Sequence, residues 1–234
     1  MTGDFTLLDE RCIYIKAVIF DLDGTLLNTL DDIGESANDI LSKHGLSINP
    51  ISEYAFLTGN GAKTLFKRAS HGIVDEEKIL TMVNDFHAIY KSRCTSKTKI
   101  YNGIEDLLLW LNETQICCSV LSNKSHDITN LIIRHYFKHI DFTDICGQQA
   151  NVPLKPDPTQ ILNMASKLQC SHEEIMFVGD TCVDMQAAKN AGIFAVGVLW
   201  GFRDKNELLN NGADAIAESP QDIKELIVAM QKDI

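Results

Sequence analysis

Apolar positions along the chain follow two periods, and the change between them divides it. Residues 16–20, Lys-Ala-Val-Ile-Phe, are dominated by β-branched and aromatic side chains that lead into Asp21-Leu-Asp23-Gly24, so the pattern predicts a buried strand over 14–22 with both acids at its end. From Leu26 to Gly45 the period becomes helical, with Ile33, Ala37, Ile40, Leu41 and His44 on one face and Gly45 as a stop. The helical pattern continues from Asn49 to about Lys99 over 51–57, 61–71 and 75–93. A turn at Thr58-Gly59-Asn60-Gly61 separates the first two of these, and Asp75-Glu76-Glu77 gives the third an acidic first turn.

Strand–helix alternation begins after this helical stretch. Strands are predicted at 116–121, 142–147, 175–178, 194–199 and 214–217, and helices at 125–138, 157–169, 182–191, 204–211 and 220–232. Such a succession builds an α/β fold, a doubly wound parallel sheet of Rossmann-like type with helices on both faces. The expected organisation is discontinuous: residues 1–28 and 97–234 form the core, and 29–96 form an inserted α-helical cap domain over the strand ends, placed to exclude water. Asn28-Thr29 and Ser96 to Ile100 read as hinges, and residues 1–12 as a patternless lead-in.

Composition narrows the class. With 45% hydrophobic and 23% charged residues in a chain of 234, the protein is globular. No apolar run approaches the roughly 18 residues of a membrane span, and the acidic N-terminus does not resemble an export signal. Seven cysteines, without a C-x-x-C pair or zinc spacing, suggest reduced and mostly buried thiols in a cytoplasmic protein. A net charge of −11 argues against nucleic acid as a partner, and it requires a local metal or lysine if the ligand is itself an anion.

Polar residues suited to chemistry cluster at four predicted strand ends or helix starts: Asp21, Asp23 and Thr25; Ser122 and Asn123; Lys155; and Asp180 with Asp184. Asp21, a group near Asp23, and Asp180 offer oxygen ligands, while Asp184 stands about one helical turn further on, where it could hold a metal-bound water. Oxygen-only ligation is the pattern for Mg²⁺. Hydroxyl, amide and ammonium groups facing a carboxylate-bound metal make a site for phosphoryl chemistry.

Phe20 to Leu26, Leu121-Ser122-Asn123-Lys124, Lys155-Pro156-Asp157-Pro158 and Val178 to Asp184 resemble, in order, the four motifs of the haloacid dehalogenase superfamily. The helical insertion and Thr58 to Leu65 are most similar to its phosphoglycolate phosphatase branch. The resemblance implies a Mg²⁺-dependent phosphatase that hydrolyses a small phosphorylated metabolite through an aspartyl phosphate. In it Asp21 attacks phosphorus, and Asp23 protonates the leaving alcohol and then activates water. The main-chain carbonyl of Asp23 joins Asp21 and Asp180 around the metal, and Thr25 positions the acid–base group. Ser122 and Asn123 hold phosphoryl oxygens, Lys155 pairs with nucleophile and phosphate, and Asp184 supports the metal waters and Lys155. An acid two residues after the nucleophile favours a phosphate ester over an organohalide, because an alkoxide needs a proton and a halide does not.

A phosphomutase, a pyrophosphatase or a nucleotidase would use the same residues, whereas a non-catalytic phosphate-binding protein would not need Asp21, Asp23 and Lys155 together. Two departures, Asn28-Thr29 for the more usual Asp-Ser and Ser125 for a frequent Pro, touch none of the implied chemistry. Gly59-Asn60-Gly61-Ala62-Lys63-Thr64 lacks the spacing and the preceding strand of a P-loop. It reads either as a turn opening a helix or as main-chain amides facing the leaving group. His126 is expected in the first turn of a helix, Trp110 and Trp200 in packing, and Cys182 without a redox role.

Overall fold

A computed structural model describes residues 14–232, and the lead-in 1–12 lies outside the described residues. Strand β1 (Ala17–Phe20) is followed by a two-residue strand β2 (Leu27–Asn28) and by helices α1 (Leu30–Lys43), α2 (Tyr54–Leu57), α3 (Gly61–Ala69) and α4 (Glu76–Arg93). A second short strand β3 (Lys99–Ile100) and helix α5 (Ile104–Glu113) come next. The alternating part comprises β4 (Cys117–Ser125), α6 (His126–Tyr136), β5 (Phe142–Gln148), α7 (Thr159–Leu168), β6 (Ile175–Gly179), α8 (Cys182–Ala191), β7 (Phe194–Val198), α9 (Lys205–Asn210), β8 (Ala215–Ala217) and α10 (Pro220–Lys232).

The large sheet runs β5-β4-β1-β6-β7-β8 with every pairing parallel. β1 is buried along its whole length because it is central, with Phe20 level with Val120 on one side and Val178 on the other. Alternate side chains supply two cores: Val18, Phe20, Val120 and Val178 pack on one face, Ala17, Ile19, Leu121 and Phe177 on the other. The chain order switches direction at β1, so the crevice outside its carboxyl end is the natural place for a ligand.

β1 is shorter than the 14–22 predicted. The chain folds back at once, with the amides of Leu26 and Leu27 both donating to the Leu22 carbonyl and that of Gly24 donating to Leu27. Both acids therefore leave the strand in a tight loop. β4 runs on past Leu121 to Ser125, so Ser122 and Asn123 lie within a strand whose register against β5 is irregular there.

Two further elements were not predicted. Helix α5 buries Ile104, Leu107, Leu108 and Leu111, and β2 pairs antiparallel with β3, Leu27 opposite Ile100. That ribbon joins the two expected hinges. It is sealed by Asp32, a buried carboxylate of α1 that accepts from the amides of Lys97 and Thr98 and from the Thr98 hydroxyl at 2.8–3.0 Å. Cys94, Cys118 and Cys146 are buried, while Cys117, Cys170 and Cys182 are partly exposed; all six are free thiols. Among the described residues no helix is long and apolar enough to cross a membrane.

Candidate active site

The fold-back after β1 brings Asp21 beside residues from three other strand ends. Lys155, 4% exposed, extends its ammonium between two carboxylates, 2.8 Å from Asp21 Oδ1 and 2.7 Å from Asp184 Oδ1. Its third proton goes to the Leu121 carbonyl at 2.9 Å. Asp184 lies in the first turn of α8, where its other oxygen accepts from the amide and hydroxyl of Thr181 in a capping box. Asp180, fully buried, accepts from the Phe202 amide at 2.8 Å and from the Thr25 hydroxyl at 3.2 Å.

Carboxylate oxygens of Asp21, Asp180 and Asp184 lie within 4.8 Å of one another, and all three residues are buried. Three such groups against one ammonium leave negative charge uncompensated in a site shielded from water, a balance that suits a divalent cation with hard oxygen ligands. Two glycines let the surrounding loops close tightly on Asp180. Gly24 sits at φ +87°, and a Cβ there would come within 2.2 Å of Asp180 Oδ2; one on Gly201 would come within 2.3 Å of Asp180 Cβ.

Burial pushes the Asp21 carboxyl up, and Lys155 only partly offsets this, leaving it at about 7. Asp180 is driven well above the usual carboxylate range by burial and by the charges of Asp184 and Asp21. For Lys155 burial acts downward, but the two carboxylates outweigh it and the ammonium is held above its ordinary range. An acid raised from 3.8 to about 7 on folding contributes stability that is complete below about pH 3.8 and is lost as pH rises through about 7. Metal-free protein is therefore expected to melt at a lower temperature at about pH 8 than at about pH 5. Mg²⁺ added at the higher pH should raise the melting point again. A melting temperature in chelator that stays flat over this range would contradict the reading.

Asp23 stands apart from the three-carboxylate cluster and is only partly buried. Its Oδ1 accepts from the Thr29 hydroxyl at 2.7 Å and from the Lys124 ammonium at 2.6 Å. Lys124 also donates to the Tyr90 hydroxyl of α4 at 2.6 Å. Thr29, one of the two departures, is thus the threonine that donates to Asp23, while the Thr25 hydroxyl donates to Asp180. Trp200 does more than pack, since its indole donates to the Thr25 carbonyl at 2.9 Å.

The expectation for Asn123 also changes. Its amide donates to the Gly59 and Lys155 carbonyls, and its oxygen accepts from the Lys155 amide, so the side chain fixes the lysine's backbone rather than reaching into the cavity as a donor. Ser122 is buried, and its hydroxyl oxygen accepts from the Lys124 amide at 3.2 Å. Gly59 and Gly61 line the cavity in front of Asp21, but Asn60 does not; it forms the cap of α3 without a side-chain hydrogen bond. Lys124, Tyr90 and the Phe202 amide were not among the residues singled out. Only Lys124 carried a signal, its place directly after Ser122-Asn123.

The family of haloacid dehalogenase-like hydrolases matches residues 18–198. The phosphoglycolate phosphatase of Pseudomonas putida is 29% identical over 88% of this chain and 74% of its own length. That of Nitrosospira multiformis is 28% identical over 91% of this chain and 96% of its own. A crystal structure from Haemophilus somnus, described as a predicted phosphoglycolate phosphatase, superposes with a TM-score of 0.83 at 26% identity, covering 91% of this chain and 97% of that one.

Proposed function

The chain belongs to the haloacid dehalogenase-like hydrolases, and from that premise we propose that it is a Mg²⁺-dependent phosphatase of small organic phosphate monoesters such as phosphoglycolate. One observation carries the reading: two carboxylates in a single loop have separate partners. Asp21 shares the buried Lys155 with Asp184, while Asp23 has Thr29 and Lys124. Groups held so differently suit two jobs in one reaction.

Asp21 attacks phosphorus as the ester P–O bond breaks, and Asp23 passes its proton to the departing alkoxide. Asp23 then takes a proton from the water that attacks the aspartyl phosphate, which releases phosphate and restores Asp21. Lys155 keeps Asp21 oriented, and its charge lets one anion approach another. The Ser122 hydroxyl is placed to donate to a phosphoryl oxygen, while Asn123 acts through its hold on Lys155 and on Gly59. Asp21, Asp180 and the Asp23 main-chain carbonyl would hold Mg²⁺ with Asp184 beside them, and the ion when bound supplies positive charge to the phosphoryl oxygens.

Residues 29–96 serve as the cap over a core that, among the described residues, comprises 14–28 and 97–232. Polar contacts across the boundary support this, from Lys124 to Tyr90, from Asn123 to Gly59, from Arg203 to the Ala55 carbonyl and from Lys91 to Asp127. Free thiols suit a reducing cytoplasm, where we place the protein.

Phosphate release is expected from a panel of small esters in the presence of Mg²⁺. It should fall by about 100-fold or more in EDTA and return when Mg²⁺ is restored in excess. Full activity in chelator would refute the metal-dependent reading. Transfer of the phosphoryl group within a sugar phosphate, without release, would favour a phosphomutase.

A further inference from the structure

We propose that Arg203 is a positioning residue that ties the cap to the metal site, so that docking of the cap and binding of Mg²⁺ at Asp180 strengthen each other. The inference rests on the phosphatase reading above for the cap and for Mg²⁺ at Asp180, and adds how the two are linked.

Asp180 is oriented from one short segment. Residues 200–202 lie between β7 and α9, and both of its carboxylate oxygens depend on them. Oδ2 accepts from the Phe202 amide at 2.8 Å. Oδ1 accepts from the Thr25 hydroxyl at 3.2 Å, and the Thr25 carbonyl is itself held by the Trp200 indole at 2.9 Å. Between them Gly201 lets the chain run so close that a Cβ there would meet the Gly24 carbonyl at 2.5 Å as well as Asp180. A shift of this segment therefore moves the ligand oxygens with it.

Arg203 follows directly and leads to the cap. Its side chain is 7% exposed. Its guanidinium donates across the boundary to the Ala55 carbonyl of α2, and its central carbon lies 5.2 Å from the centre of the Phe56 ring. On the core side its Nε pairs with Glu207 at 3.1 Å, and Glu207 accepts from the Cys182 amide at the start of α8. α2 has four residues, so its last carbonyls lack intrahelical partners, and a cation suits that end. The chain runs on from α2 to Thr58 and Gly59, which line the cavity in front of Asp21.

Phe56 separates a linking role from simple packing. It is 64% exposed and belongs to neither core, so its ring adds little to the fold, yet it stands against the guanidinium. A planar fork that grips a main-chain carbonyl while stacking on an aromatic ring is what arginine supplies and lysine does not. Through Arg203 the cap edge holds residues 200–202 at Asp180. By reciprocity, a metal that fixes Asp180 holds the cap edge.

The test measures Mg²⁺ affinity by isothermal titration, without substrate, for wild type, Phe56→Ala, Arg203→Lys and Arg203→Met. Amide exchange of the peptide covering residues 54–59 is followed with and without Mg²⁺. Arg203→Met is expected to bind Mg²⁺ about 10-fold more weakly, with Arg203→Lys between it and wild type. Phe56→Ala, a substitution on the exposed cap edge, should bind the ion about 3-fold more weakly. Mg²⁺ should slow exchange over 54–59 in wild type and leave it nearly unchanged in Arg203→Met. A purely structural arginine would lower the melting temperature in chelator and leave the affinity where it was. Wild-type affinity in Arg203→Met or in Phe56→Ala, or exchange over 54–59 that ignores Mg²⁺ in wild type, overturns the inference alone. No Mg²⁺ binding by wild type overturns the metal-dependent reading and the inference with it. If Arg203→Met does not fold, Phe56→Ala and the wild-type exchange decide the matter.

Discussion

Asp21→Asn is expected to lower kcat by about 10⁴-fold or more while leaving the fold intact. The amide has almost the volume of the carboxylate, and the residue follows a strand whose register is fixed by pairing on both sides. The main-chain bond from the Asp21 amide to Val178 does not involve the side chain. On the proposed mechanism, what disappears is the anionic oxygen that attacks phosphorus, and the neighbouring carboxylates are already engaged: Asp180 and Asp184 are occupied by Phe202, Thr25, Thr181 and Lys155. The substitution also removes one of three crowded acids, so metal-free Asp21→Asn should be no less stable than wild type at about pH 8. Steady-state phosphate release and thermal melting check the two halves. Activity within about tenfold of wild type would remove Asp21 from the chemistry.

Lys155→Met should damage both activity and stability. Its ammonium is the shared partner of Asp21 and Asp184, and the Leu121 carbonyl loses a donor with it. Breaking a buried ion pair from one side costs about 3–5 kcal/mol, because the remaining charges stay buried without compensation. The rate suffers for a separate reason. Burial raises the Asp21 carboxyl and Lys155 is the charge that pulls it down, so loss of the lysine favours the protonated form, which does not attack. A fall in kcat of about 10³-fold is expected, together with a lower urea midpoint at unchanged slope. Mg²⁺ should recover part of the stability but little of the rate. An unchanged urea midpoint would mean that the ion pairs contribute nothing to the fold.

The parts of the molecule that were legible in the sequence are those in which a local pattern and its surroundings agree. β1 reads as a buried strand because a central parallel strand is apolar on both faces. Asp21, Lys155, Asp180 and Asp184 stand together in the structure after being placed at separate strand ends or helix starts. Helix α5 carried its signal openly, with Ile104, Leu107, Leu108 and Leu111 at helical spacing. The extension of β4 did not: Ser122 to Ser125 is polar, and it is strand because Gln148 of β5 lies opposite Ser125. Partners of the site hydroxyls were equally hidden. Which threonine reaches Asp23 depends on the fold-back onto Leu22, and Lys124 meets Asp23 across 101 residues of chain. No local pattern encodes such contacts.

The covalent role of Asp21 is tested most directly by trapping. Mg²⁺-loaded enzyme is mixed with a hydrolysable phosphate ester, quenched in acid during turnover, and reduced with borohydride, which converts an aspartyl phosphate to homoserine. Peptide mass spectrometry should then find homoserine at position 21 in wild type, and at no position in Asp21→Asn. Unmodified Asp21 in samples that are releasing phosphate, or homoserine at another aspartate, would contradict the account.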